Sequence, residues 1–222
     1  MMMGRIRYSA GLAAVLGLLA ASPLASAHPH VFVDGRAEIV FDVARRVTAI
    51  RNVWEFDEAY SAFATLGLDA NGDGRLSAQE LAPLAKVNID SLKEYAFFTY
   101  LSAGKMQIAF KPPVAYVVTE NEGRLTLAFT LPLAQPATVA GKLVLEVFDP
   151  EYFVAFSFPK QGAVALVNAP TGCSAVFHPP RVLDMQIMAQ LATIPVEQRN
   201  LPRALQDAAV GLANLFIVGC PA

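Results

Sequence analysis

The chain has 222 residues, with 17 Lys+Arg against 19 Asp+Glu, a formal net charge of −2 at pH 7 and 55% hydrophobic side chains. Balanced charge with no basic stripe excludes the electrostatic footprint of a nucleic-acid binder. The length allows one sizeable core or two small ones, and no stretch beyond the N-terminus is long and apolar enough to span a bilayer.

The N-terminus reads as a secretory signal. Arg5 and Arg7 form a basic start, residues 11–21 are apolar but too short to span a membrane, and Ala25-Ser26-Ala27 is a small-residue cleavage site. No lipobox cysteine follows. Removing residues 1–27 leaves 195 residues (222 less 27) and, without Arg5 and Arg7, 15 basic against 19 acidic groups, a net charge of −4. The expected product is periplasmic, has no membrane span after cleavage, and is a single α+β domain over residues 28–222.

Cleavage after Ala27 gives His28 a free α-amine. That amine and the His28 imidazole can chelate one metal together. His30 and Asp34 share the parity of His28 along an extended segment, so His28, His30 and Asp34 form a candidate donor set for Zn²⁺, Ni²⁺, Co²⁺ or Cu²⁺. Pro29 has no N–H to deprotonate, which rules out square-planar copper or nickel binding through backbone amides and leaves a histidine-brace arrangement. The plain alternative is two polar residues at a frayed terminus. His178, in His178-Pro179-Pro180, is read as structural or solvent-facing.

From residue 30 to 42 the sequence alternates. Val31, Val33, Ala37, Ile39 and Phe41 take one face, and His30, Asp34, Arg36, Glu38 and Asp42 the other, which predicts a half-buried strand. A turn at Ala44-Arg45-Arg46 leads to a second strand over residues 47–56, with Ile50, Trp54 and Phe56 inward.

Residues 69–80 then read D-A-N-G-D-G-R-L-S-A-Q-E, the offsets of an EF-hand calcium loop. Asp69, Asn71 and Asp73 supply side-chain oxygens and Gly74 makes the sharp turn. Arg75 offers its carbonyl, Ser77 holds a bridging water, and Glu80 closes the site as a bidentate carboxylate. Helices are predicted over residues 57–68 and 77–92, so residues 57–92 form an inserted helix-loop-helix. The flanking helices lack the Met-rich face of calcium sensors and no second such loop occurs, which favours a structural clip over a sensor.

Beyond Gly104 strand signals return over residues 106–110, 115–119, 124–131 and 142–148, with two more over 152–158 and 163–167. Asn121-Glu122-Gly123, Ala140-Gly141, Asp149-Pro150 and Gln161-Gly162 supply the turns. Helices are expected over residues 182–193 and 203–216, and the apolar run 212–218 reads as core. Cys173 and Cys220, exported to an oxidising compartment, are expected to form a disulfide. The expected architecture is an antiparallel β-sandwich with an inserted EF-hand and a C-terminal helix.

Catalytic signatures are absent. There is no H-E-x-x-H, G-x-S-x-G, phosphate-binding loop, G-x-G-x-x-G or C-x-x-C, so the chain is expected not to be an enzyme. A histidine-brace copper oxidase or a zinc hydrolase is the remaining enzymatic reading. A calcium-stabilised module for protein interaction is the non-enzymatic alternative.

Four segments, in order, carry a resemblance. They are His28-Pro29-His30-Val31-Phe32-Val33-Asp34, Trp54-Glu55-Phe56-Asp57-Glu58-Ala59-Tyr60-Ser61 ahead of the 69–74 loop, Phe97-Phe98-Thr99, and Phe148-Asp149-Pro150-Glu151-Tyr152-Phe153. In this combination the chain resembles the bacterial family of domain-of-unknown-function number 1007, whose members are commonly labelled a periplasmic component of an uncharacterised ABC-type transport system. The resemblance covers essentially the whole exported chain. It implies a periplasmic accessory to divalent transition-metal transport, with an inner-membrane transporter as partner. It carries over no catalytic residue.

Overall fold

The computed structural model describes residues 29–195, 198 and 201–221. The predicted signal segment 1–27 and His28 lie outside the described residues. The fold is α+β, with two mostly antiparallel sheets and four α-helices among the described residues.

The first sheet is built on two long strands that alternate as their sequences demand. In β1 (Val31–Phe41) and β2 (Arg46–Phe56) the apolar residues of one parity are buried, and the two strands pair antiparallel from Val33↔Phe56 to Phe41↔Val47. β6 (Arg124–Thr138) pairs with β2, and β5 (Val114–Asn121) closes that edge. On its other side β1 is paired in parallel, by β8 (Val154–Ser157) along its first half and by β9 (Val164–Val167) along its second. The expectation of a purely antiparallel arrangement is corrected at these two short strands. They reach β1 by a crossover, and no local sequence pattern marks that.

The second sheet has the order β10 (Ser174–His178), β11 (Asn214–Gly219), β7 (Lys142–Val147), β3 (Thr99–Ala103), β4 (Met106–Gln107). Here the predicted helix over residues 203–216 is corrected. α4 (Arg203–Val210) stops before Gly211, and the following apolar run becomes β11, an interior strand. A short apolar run is ambiguous in isolation. What decides it is the exposed backbone of β7 and β10, whose N–H and C=O groups require a partner. Asn214 anchors the strand, with its buried amide donating to the carbonyls of Val147 and Phe156. The other late helix is shorter than expected, α3 (Met185–Leu191), capped by Asp184.

One contiguous core joins the two sheets and a helix. Ile39, Ile50, Trp54, Leu127 and Phe129 of the first sheet belong to the same buried cluster as Leu101, Leu145, Phe216 and Val218 of the second, together with Leu81, Ala85 and Ile89 of α2 (Ala78–Leu92). Trp54 lies at its centre, edge-on to Phe129 at 4.8 Å and to Phe156 at 4.9 Å between ring centroids. A smaller cluster of Leu191, Ile194, Leu201, Leu205 and Ala209 packs α3 with α4.

Gly35, on the inward parity of β1, marks a close approach. A Cβ there would meet the Phe158 ring at 2.5 Å, and that ring is itself held 5.0 Å from Phe216 and 6.2 Å from Phe177. Gly35→Ala is expected to cost about 1–3 kcal/mol by overpacking. The denaturant midpoint checks this, and an unchanged midpoint would mean that the ring swings aside freely.

After α2 the chain makes a left-handed turn. Ala96, Phe97 and Phe98 have φ of 51°, 54° and 46°, a conformation costing about 1–2 kcal/mol per non-glycine residue. Cross-links hold it in place. The buried Asn52 amide donates to Thr99 Oγ1 at 3.1 Å, Thr99 Oγ1 donates to the Phe97 carbonyl at 2.7 Å, and the Phe148 N–H donates to the Phe98 carbonyl at 3.1 Å.

Candidate metal centre

The helix-loop-helix is fixed to the sheets at its start. Asp57 caps α1 (Glu58–Ala64): its Oδ1 accepts from the Tyr60 N–H at 2.9 Å and its Oδ2 from the Phe32 N–H at 2.8 Å, which ties the helix to β1. Buried Ser61 accepts from the Leu125 N–H on β6. The loop itself is organised by its acids. Asp69 Oδ1 accepts from the N–H groups of Gly72 and Asp73 and its Oδ2 from Gly74, Asn71 Oδ1 accepts from Asp73, and Asp73 Oδ1 accepts from Arg75. Gly74 has φ of 76°, the left-handed turn the sequence requires at that position.

Glu80 closes the loop onto its own beginning. Its Oε1 accepts from the Ala70 N–H at 2.9 Å, and its Oε2 accepts from the Ser77 N–H and hydroxyl at 2.9 and 2.7 Å. Ser77 in return caps α2, completing a capping box. The Ser77 N–H and hydroxyl, then the Ala70 N–H, hold the Glu80 carboxyl below its ordinary value. Among the described residues no three His, Cys, Asp or Glu side chains form a ready-made metal cage, because the loop acids are turned to the loop's own N–H groups. Asp69 Oδ2 and Asp73 Oδ1 each accept one N–H bond, which leaves a second lone pair for a cation, whereas Asp69 Oδ1 and Glu80 Oε2 each accept two bonds and would have to release one. The donor set is therefore all oxygen, from Asp69, Asn71, Asp73 and Glu80 with the Arg75 carbonyl and the Ser77 hydroxyl, which suits a hard cation.

The histidine end is arranged differently. His28 is outside the described residues. His30 is half-buried, its ring lies 4.8 Å from that of Phe153, and its N–H donates to the Phe153 carbonyl. The buried Asp149 carboxylate holds that segment by accepting from the N–H groups of Glu151, Phe153 and Val154. Asp34 is engaged elsewhere. Its Oδ1 accepts from the Ser157 hydroxyl at 2.5 Å and its Oδ2 from Arg124 at 3.0 Å, and Arg124 also pairs with Glu55. The Ser157 hydroxyl, and behind it the Arg124 guanidinium, lower the Asp34 carboxyl. These partners lie far along the chain, so sequence parity alone could not find them. His178 is exposed at the end of β10, in the other sheet from the strand that His30 precedes.

Cys173 and Cys220 form the expected disulfide, immediately before β10 and after β11. Among the described residues no helix is long and apolar enough to cross a membrane.

Residues 13–220 match the family described as "Protein of unknown function (DUF1007)". The chain is similar to an "Uncharacterized 15.5 kDa protein in trpE 3'region" of Spirochaeta aurantia, 34% identical over 98 residues, covering 44% of this chain and 70% of that protein. It is also similar to an "Uncharacterized protein" of Haemophilus influenzae, 25% identical over 198 residues, covering 87% of this chain and 91% of that protein.

Proposed function

The chain belongs to the DUF1007 family of proteins of unknown function, and from that premise we propose that it is a periplasmic calcium-binding accessory protein that handles a divalent transition metal for an inner-membrane transport system. The observation that carries this reading is the 69–80 loop. Its oxygen donors occur at the offsets of an EF-hand, its Gly74 turn is left-handed, and its Glu80 reaches back to the loop's first residues. In this reading residues 57–92 are an EF-hand set beside a β-sandwich, and calcium fixes the angle between α1 and α2. Calcium serves as a structural ion because the loop has no partner hand in the chain.

Transition-metal handling rests on the exported N-terminus. His28 supplies its α-amine and imidazole, and His30 a second imidazole from a backbone held against Phe153. Asp34, committed to Ser157 and Arg124, would join only by giving up those partners. Elemental analysis of protein exported and processed in the cell tests the proposal, with intact mass confirming His28 as residue one. Calcium together with a near-stoichiometric transition metal is expected. One extra residue ahead of His28 should weaken transition-metal affinity about tenfold or more, the loss of one good ligand being worth more than 1.4 kcal/mol. Calcium alone, with no transition metal taken up when offered, would retire the histidine site.

A second reading, a calcium-stabilised protein-interaction module, is favoured by Phe63 and Leu66, each 74% exposed on and just beyond α1. It is separated from the first by asking whether Glu80→Gln abolishes partner capture while His30→Ala leaves it intact.

A further inference from the structure

Where α1, α2 and the left-handed turn meet the β1–β2–β8 face there is a cavity of about 180 Å³, its walls made chiefly by Trp54, Phe56, Phe98, Phe153 and Phe156. Apolar cavities of about 150 Å³ stay free of water and take up benzene-sized molecules. We propose that this cavity is a binding site for a small uncharged molecule with the bulk of a single aromatic ring.

Three observations specify that ligand class. The volume admits one ring and no long acyl chain. Two polar side chains of the lining, Tyr60 and Asn88, are already engaged: the Tyr60 hydroxyl donates to Asn88 Oδ1 at 3.0 Å, and the Asn88 amide donates to the Leu84 carbonyl. The charged side chain among the described lining residues is an acid, Glu151, and no described lysine or arginine lines the space. A carboxylate ligand would therefore enter with no counter-charge and beside a like charge. The Trp54 ring forms part of the wall and is itself 1% exposed.

The wall is also where the backbone is forced. Phe98, the last of the three left-handed residues, presents its ring to this space. Conformations of this cost persist where the surroundings over-determine them, and they cluster at ligand clamps.

Trp54 is the chain's single tryptophan, so its fluorescence and its indole N–H resonance report on the cavity without ambiguity. The full exported chain is titrated with benzyl alcohol and, separately, with benzoate. Benzyl alcohol is expected to shift the Trp54 indole N–H resonance and its emission saturably, and benzoate to bind about tenfold or more weakly, as burial of an uncompensated charge requires. Ser91→Phe, placed at the exposed rim on α2, is expected to remove the benzyl alcohol response while leaving the melting temperature unchanged. Ring-proton Overhauser contacts to the Trp54 indole in the unaltered protein give the same answer without a variant. The proposal is overturned if benzyl alcohol leaves the indole N–H resonance unmoved, if benzoate binds as well as benzyl alcohol, or if a folded Ser91→Phe protein responds as the original does.

Discussion

Calcium added to the chelator-treated protein is expected to raise its melting temperature by about 5–10 °C. Ligand at one hundred times its dissociation constant contributes about 2.7 kcal/mol, and each kcal/mol shifts a domain of this size by about 2–4 °C. Glu80→Gln, which leaves the loop's capping contacts nearly isosteric while removing the closing charge, should abolish the shift. Asp69→Asn should do the same by weakening the first donor. The effect depends on pH in a fixed direction. The Glu80 carboxyl lies below its ordinary value of 4.5 in the fold, so it stays ionised and the site is intact above that pH. Calcium stabilisation then fades as pH falls through the lowered range. Scanning calorimetry with and without calcium at neutral and acidic pH checks both. An identical melting temperature with and without calcium at neutral pH would sink the calcium reading.

Loss of the Cys173–Cys220 bond should be felt as strongly. The two cysteines are 47 residues apart in sequence, and closing a loop of that length stabilises the fold by about 4 kcal/mol in the chain-entropy model. The bond sits at the end of the β10–β11 pair, where Ser174 opposes Gly219. Among the described residues β10 is an edge strand, paired in its sheet with β11. Reduction therefore frees an edge as well as a loop. The Cys173→Ala/Cys220→Ala protein is expected to melt about 8–16 °C lower, from the same scaling. Reduction of the unaltered protein with dithiothreitol should reproduce that drop. If both thiols become titratable while the melting curve stays put, the bond is not a stabilising element.

The parts of the fold written in short-range pattern were legible. β1, β2 and β6 alternate so regularly that their buried parity follows from the residues alone. The helix predicted over residues 77–92 is α2, whose buried Leu81, Ala85 and Ile89 keep helical spacing. The disulfide followed from the expected export of both cysteines. Features decided by distant partners were not legible. β10 is five residues with a weak alternation, and β11 is an apolar run that only its neighbours make a strand. The parallel strands β8 and β9 give no local sign of which strand they will join. The same limit applied at the histidine end, where Asp34 looked available because Ser157 and Arg124 are remote in sequence. The aromatic cavity was missed for a related reason. Trp54, Phe98, Phe153 and Phe156 come from four separate segments, and only the left-handed turn and the β1–β8 pairing bring them together.

That pairing also sets the order in which the molecule can be completed. Among the described residues β1 is the first strand, and one of its edges is covered by β8 and β9, well over a hundred residues later. Contacts of such separation require a large loop to close before they yield any stabilisation, and chains rich in them fold slowly. Until residues 154–167 arrive, the strand that follows the His30 terminus presents a bare row of N–H and C=O groups, the kind of edge on which other chains can add. A protein emerging N-terminus first would carry that adhesive edge for most of its emergence, so its yield should depend on how quickly the last third of the chain follows the first.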